Sequence, residues 1–163
     1  MILHSDSLEA THALGRRLGA TLAAGDVVAL VGPLGSGKTA TVRGVAEGAG
    51  VADPRDVNSP TFVIVNEYDA AARMPPLRLY HIDAYRLRHA GDLEALGFDE
   101  MVADGAVLIE WADRVADLLP PDRLTLVLEP VDEHRRRFHG SAGGPRSRAL
   151  LDRIGATPAQ TGS

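Results

Sequence analysis

The residues best suited to chemistry lie in one short run, Gly32-Pro33-Leu34-Gly35-Ser36-Gly37-Lys38-Thr39, which fits the pattern G-x-x-x-x-G-K-[ST]. Glycines at those places let the backbone wrap an anion with its N–H groups, and a helix starting directly behind the loop adds positive potential. Lys38 is then placed to reach the β- and γ-phosphates of a nucleotide, and Thr39 offers a hydroxyl to magnesium. The expected phosphate-contacting set is Gly32, Leu34, Gly35, Ser36, Gly37, Lys38, Thr39 and Ala40. By chance the pattern turns up in roughly one chain of this length in a few hundred. Here it follows an apolar strand and opens a helix, which a plain glycine turn with a surface lysine would not require. Lys38 is also the only lysine among 17 basic residues.

A phosphate loop needs acids for the metal and for water, set at the carboxyl ends of the strands beside its own. Asp83 ends the run Leu77-Arg78-Leu79-Tyr80-His81-Ile82, and Glu110 ends Ala106-Val107-Leu108-Ile109. Spacing alone does not rank them. One division has Asp83 holding magnesium through water while Glu110 polarises the attacking water or joins the metal shell, giving Thr39, Asp83 and Glu110 as the expected metal set. The competing reading for either acid is a strand-end carboxylate that caps a following turn or pairs with arginine. Thr61, in Asn58-Ser59-Pro60-Thr61-Phe62, is a candidate switch hydroxyl for sensing the γ-phosphate. Arg86, Arg88 and the run Arg135-Arg136-Arg137 are candidate phosphate neutralisers, with solvated surface as the ordinary alternative. His81 shares a strand face with Asp83 by period two, which allows a His/Asp metal pair, although a structural histidine is the favoured reading. Trp111 is the sole tryptophan, suited to the core or to stacking on a base.

These residues need a frame, and the hydrophobic pattern supplies one. Residues 8–22 read as an amphipathic helix capped by Asp6 or Ser7, residues 26–31 as a strand buried on both faces, and residues 38–47 as a helix. Residues 48–60 form a loop, followed by strands at 61–67 and 77–83, a short helix at 92–97 closed by glycine, and a strand at 107–110. A helix over 112–119, a strand over 124–128 and a last helix over 147–154 complete the pattern. Alternation of this kind predicts an α/β fold of three layers with a mostly parallel central sheet. A length of 163 residues predicts one domain over residues 1–154, with residues 155–163 a disordered tail.

Composition narrows the function classes. There is no cysteine, which removes disulfide scaffolds, Cys-ligated metals and thiol nucleophiles. The N-terminal residues show neither a basic region nor an apolar stretch, so a cytoplasmic protein is expected. A net charge of −5 disfavours a broad basic surface gripping RNA.

In order and spacing, the phosphate loop, Ser59-Pro60-Thr61-Phe62, His81-Ile82-Asp83-Ala84-Tyr85-Arg86-Leu87, Glu110-Trp111 and Leu119-Pro120 resemble the TsaE (YjeE) family. The resemblance runs from the first helix, with Thr11 and Leu14-Gly15, to about Leu151. It implies a P-loop ATPase, using ATP and Mg2+, of the bacterial pathway that makes threonylcarbamoyladenosine in tRNA. On that pattern the protein supports TsaD and TsaB rather than transferring the group itself. The resemblance matches Thr39 and Glu110 to magnesium-site positions, Asp83 to a Walker-B-like acid, Thr61 to the switch threonine and Arg137 to a nucleotide-contacting arginine.

Two positions depart from the family pattern, Pro33 in place of Asp and Ser36 in place of Ala. Proline lacks an N–H, so position 33 must be one whose amide the phosphate does not use. Two rival functions stand beside the ATPase: a small-molecule kinase handing the γ-phosphate to a hydroxyl, and a nucleotide-gated binding module with negligible turnover. A GTPase fits less well, because the guanine motif N-K-x-D requires a second lysine.

Overall fold

The apolar run ahead of the phosphate loop becomes the central strand of the sheet. In the computed structural model, which describes residues 1–57 and 64–156, the first half of the chain forms β1 (Ile2–Ser5), α1 (Leu8–Thr21), β2 (Val27–Val31), α2 (Lys38–Ala49), β3 (Val65–Ala70) and β4 (Leu77–Asp83). The second half forms α3 (Gly91–Ala95), α4 (Phe98–Asp104), β5 (Ala106–Glu110), β6 (Leu124–Pro130), β7 (Arg136–Ala142) and α5 (Pro145–Gly155). Among the described residues the strands make a single sheet in the order β1-β7-β6-β2-β5-β4-β3. The four central strands β6, β2, β5 and β4 run parallel, while β7 beside β6 and β3 beside β4 run antiparallel to them, and β1 pairs antiparallel with β7 at the edge.

Period-two alternation divides the side chains between two cores. Val28 and Leu30 of β2, Leu77 and Leu79 of β4 and Leu108 of β5 pack beneath α1, α2 and α5. Val27, Ala29, Tyr80, Ile82, Val107 and Ile109 face the other way, against α3, α4 and the 3₁₀ segment Ala112–Leu118. Both faces are therefore covered, giving the three layers expected of a parallel sheet. By the same parity His81, Asp83 and Glu110 lie on the α2 side, toward the phosphate loop.

Close helix contact holds α2 in place. A Cβ on Gly19 would stand 2.0 Å from the Val45 carbonyl oxygen, and one on Gly48 would stand 2.0 Å from that of Arg16. Glycine at both positions lets α1 and α2 meet backbone to backbone, which fixes the helix whose first turn carries Lys38 and Thr39. Ser7 caps α1, its hydroxyl oxygen accepting from Ala10 N at 3.1 Å.

Several elements differ from the sequence expectation. The parallel core of the sheet is as expected, and its two edges add antiparallel pairings. β1, β7 and α4 go beyond the sequence expectation; β7 carries the polar run Arg136-Arg137-Phe138-His139-Gly140, with Phe138 and Gly140 as its buried residues. The 112–119 segment is a 3₁₀ helix, bent at Val115 (φ −129°). β3 begins at Val65, and the earlier part of the expected 61–67 strand lies outside the described residues, as does most of the expected tail.

Candidate functional site

Where β2 ends, the chain turns through Gly35 (φ 76°) and Gly37 (φ 103°), left-handed conformations that favour glycine. Gly32 has no room for a side chain, since a Cβ would lie 2.7 Å from both the Leu128 carbonyl oxygen and Ser36 Oγ. Pro33 serves through its carbonyl, which accepts from Ser36 N at 3.1 Å, so its missing N–H costs the turn nothing. Leu34 projects outward and is 89% exposed, while Ser36 is fully buried. Among the described residues Gly37 starts α2 without a side-chain cap, and a helix start of this kind suits an anion.

Lys38 is 5% exposed and folds back on its own loop. Its ammonium donates to the carbonyl oxygens of Gly32 (2.7 Å) and Pro33 (2.9 Å) and to Ser36 Oγ (3.4 Å). The Trp111 ring covers it at 4.1 Å from the centroid, a cation–π contact. Burial pulls this ammonium below the usual lysine value, against the attraction of Glu110, Asp113 and Asp83. Trp111 reaches this position because its backbone is left-handed (φ 58°), an uncommon state for a bulky residue. Tyr85 packs on Trp111 at 5.1 Å, and Arg114 lies over Tyr85. Trp111, a candidate for the core or for base stacking, packs against the core beside α3 and α4 and also covers the lysine.

Asp83 and Glu110 are directly paired across β4 and β5. Glu110 is 3% exposed; its Oε1 accepts from Thr39 Oγ1 at 3.1 Å, and its Oε2 lies 2.6 Å from His81 Nε2. Burial pushes the Glu110 carboxyl up, but the His81 hydrogen bond and charge, Thr39 and Lys38 together hold it below the ordinary glutamate value. Asp83 accepts from Tyr85 N at 3.0 Å and from Arg86 Nε at 3.2 Å, capping the 3₁₀ turn Ala84–Arg86. The structure therefore brings Lys38, Thr39 and Glu110 together, and directs the oxygens of Asp83 to a cap and an arginine. His81 bonds Glu110 rather than pairing with Asp83.

Arg136, not Arg137, reaches the loop. Its Nη2 donates to the Gly35 carbonyl at 3.2 Å, whereas Arg137 pairs with Glu129 and Arg135 with Asp132. Consecutive strand residues face opposite ways, and only the β6–β7 register decides which arginine turns toward the loop. Arg136 and His134 help line a cavity of about 260 Å³ with Leu8, Thr11, Gly37 and Ala40, opening beside the start of α2. Arg88 uses its backbone N–H on Asp92. Thr61 and its neighbours 58–63 lie outside the described residues.

Thr39, Glu110 and Asp83 offer hard oxygen donors. Among the described residues there is no cluster of three or more His, Cys, Asp or Glu side chains able to cage an ion. That donor set fits magnesium, which keeps waters and phosphate oxygens in its shell and takes only one or two protein carboxylates. No helix among the described residues is long and apolar enough to cross a membrane.

Comparison with known proteins agrees with this architecture. The family model for threonylcarbamoyl adenosine biosynthesis protein TsaE matches residues 5–138. The tRNA threonylcarbamoyladenosine biosynthesis protein TsaE of Bacillus subtilis is 38% identical over 147 residues, covering 90% of this chain and 88% of that one. The protein of the same name from Streptomyces coelicolor is 44% identical over 117 residues, covering 71% of this chain and 76% of that one. The crystal structure of Bacillus subtilis YdiB superposes with a TM-score of 0.75 at 32% identity, covering 94% of this chain and 93% of the other.

Proposed function

The chain belongs to the TsaE family of tRNA threonylcarbamoyladenosine biosynthesis proteins, and from that premise we propose that it binds and hydrolyses ATP with Mg2+ in the 32–39 loop, as the nucleotide-driven component of that modification. The observation that carries the reading is the convergence of Lys38, Thr39 and Glu110 around a closed glycine loop. Loop and first-turn amides bind the phosphates, and Lys38 exchanges its Gly32 and Pro33 carbonyl acceptors for phosphate oxygens. Thr39, Glu110 and Asp83 are the residues that would hold magnesium. When bound, that ion neutralises charge on the phosphates.

Glu110 orients the attacking water through its carboxylate. Arg136, already on the loop at Gly35, adds positive charge, and the cavity between α1, Ala40 and His134 accepts the nucleoside end. Thr61 is proposed as the hydroxyl that senses the γ-phosphate. A chain of 163 residues has little surface with which to exclude water alone, so turnover is completed by partners, TsaD and TsaB on the family pattern. The net charge of −5 favours contact with those proteins over direct grip on tRNA, in the cytoplasm.

The test is phosphate release with and without the TsaD–TsaB pair, for wild type and Glu110→Ala. Partner-stimulated release that Glu110→Ala abolishes supports the reading. ATP-dependent docking with no rise in hydrolysis favours a gated binding module, and a phosphorylated metabolite among the products favours a kinase.

A further inference from the structure

Glu110 ends a strand inside the sheet, where a carboxylate needs a donor on each oxygen. Thr39 serves Oε1, and Oε2 is met by His81, a residue that has no place in the hydrolysis described above. His81 comes from the adjacent strand β4, two residues before Asp83, and is fully buried. Among the described residues its other nitrogen, Nδ1, is buried with no hydrogen-bond partner. Tyr68 flanks the ring, with centroids 6.4 Å apart.

A ring that uses one nitrogen and leaves the other unpaired is poorly explained by packing alone, since an apolar side chain would fill the same space without a buried orphan. The carboxylate facing Nε2 can only accept, so Nε2 carries the proton that it donates to Glu110. A buried ring between two strands and an aromatic neighbour cannot swing away. It therefore fixes one oxygen of Glu110 and turns the other toward the Thr39 hydroxyl.

We propose that His81 is a positioning residue that sets the Glu110 carboxylate for magnesium at Thr39. The proposal rests on the nucleotide reading of the same site. Groups that orient metal-binding side chains in this way commonly account for about 10–100-fold in metal affinity or activity.

The experiment is calorimetric titration of ADP, with and without magnesium, into wild type and the variants His81→Leu, His81→Gln and His81→Asn. In wild type, magnesium tightens ADP binding. His81→Leu leaves metal-free ADP affinity unchanged and loses about 10-fold or more of the magnesium-dependent gain. His81→Gln carries a donor at the place of Nε2 and recovers most of that gain, whereas His81→Asn places its donor at the Nδ1 level and does not. Should His81→Leu fail to fold, the contrast between Gln and Asn still decides. Equal behaviour of those two, or a magnesium gain untouched in His81→Leu, overturns the proposal while metal-free ADP binding keeps the nucleotide reading intact. No ADP binding by wild type overturns both. Nitrogen-15 NMR of labelled histidine gives a readout independent of nucleotide: a proton on Nε2 whose signal moves in Glu110→Gln is expected, and an Nε2 without a proton contradicts the assignment.

Discussion

Asp83 and Glu110 occupy matched places, side by side at the ends of neighbouring parallel strands, and both are buried. Their surroundings differ sharply. Asp83 caps a 3₁₀ turn and holds the half-exposed Arg86, whereas Glu110 is held by a buried histidine and a loop hydroxyl. The residue that follows each acid makes the difference. After Asp83 the chain enters the turn Ala84–Arg86 at once, so the carboxylate is drawn to the amide of Tyr85. After Glu110, Trp111 takes a left-handed conformation and itself becomes the N-cap of the next segment, which leaves Glu110 facing the loop. Strand ends place acids, and the first backbone turn beyond them decides what those acids do.

On the proposed reading this contrast places Glu110 nearer the reacting phosphate than Asp83. Glu110→Gln is expected to cut phosphate release by about 10²–10⁴-fold, the range for a lost acid–base group. Asp83→Asn is expected to cost about 10–100-fold, as a supporting or water-mediated contact does. Steady-state release of phosphate measures both, and equal losses would break the distinction.

Much of this arrangement can be read in the sequence, and the rest fails for identifiable reasons. The 77–83 strand, the strand ending at Glu110 and the loop between β2 and α2 are legible because uninterrupted or alternating apolar runs end abruptly at Asp, Glu or Gly. β7 is not, because Gly140 stands at an inward position where a Cβ would meet Leu151 at 2.6 Å. α4 is hidden because Gly97 reads as an end when its left-handed turn (φ 79°) starts a second helix. Lys38, Thr39 and Glu110 announce themselves by motif and strand end. The bond from His81 to Glu110 and the choice of Arg136 over Arg137 depend on strand order and register, which periodicity within one strand does not contain. The glycines at 15, 19, 44 and 48 do carry a readable signal, a four-residue spacing of small residues on two helices.

Smaller effects sharpen the comparison further. Gly48→Ala forces α2 away from the Arg16 carbonyl, at a cost of about 1–3 kcal/mol seen as a lower denaturant midpoint. Because α2 carries Thr39 and not Asp83, magnesium-dependent nucleotide binding should weaken with it; a stable variant would show that the helices can part freely. Trp111 provides an optical reading of the same side. As the sole tryptophan, stacked on Lys38, it should change its emission when phosphate draws the ammonium away, and Lys38→Ala should remove that response.

The exposed Asp132 is the reference for an acid held by local donors alone. Backbone and side-chain hydrogen bonds from Arg135, with the amide of His134, hold its carboxyl down to about 2. Its contribution to the 132–135 turn is present above the ordinary aspartate value and is lost as pH falls toward about 2. Carboxyl NMR of wild type and Arg135→Ala should show a midpoint that rises in the variant, while the environment of Glu110 stays unchanged.

The claim beneath all of this is that the 32–39 loop clasps a nucleotide's phosphates with its amides and Lys38. Titration calorimetry of a non-hydrolysable ATP analogue with magnesium, into wild type and Lys38→Ala, tests it directly. Saturable binding of one nucleotide per chain, lost in Lys38→Ala, is the expected result. No binding by wild type, or equal binding by the variant, would contradict the account.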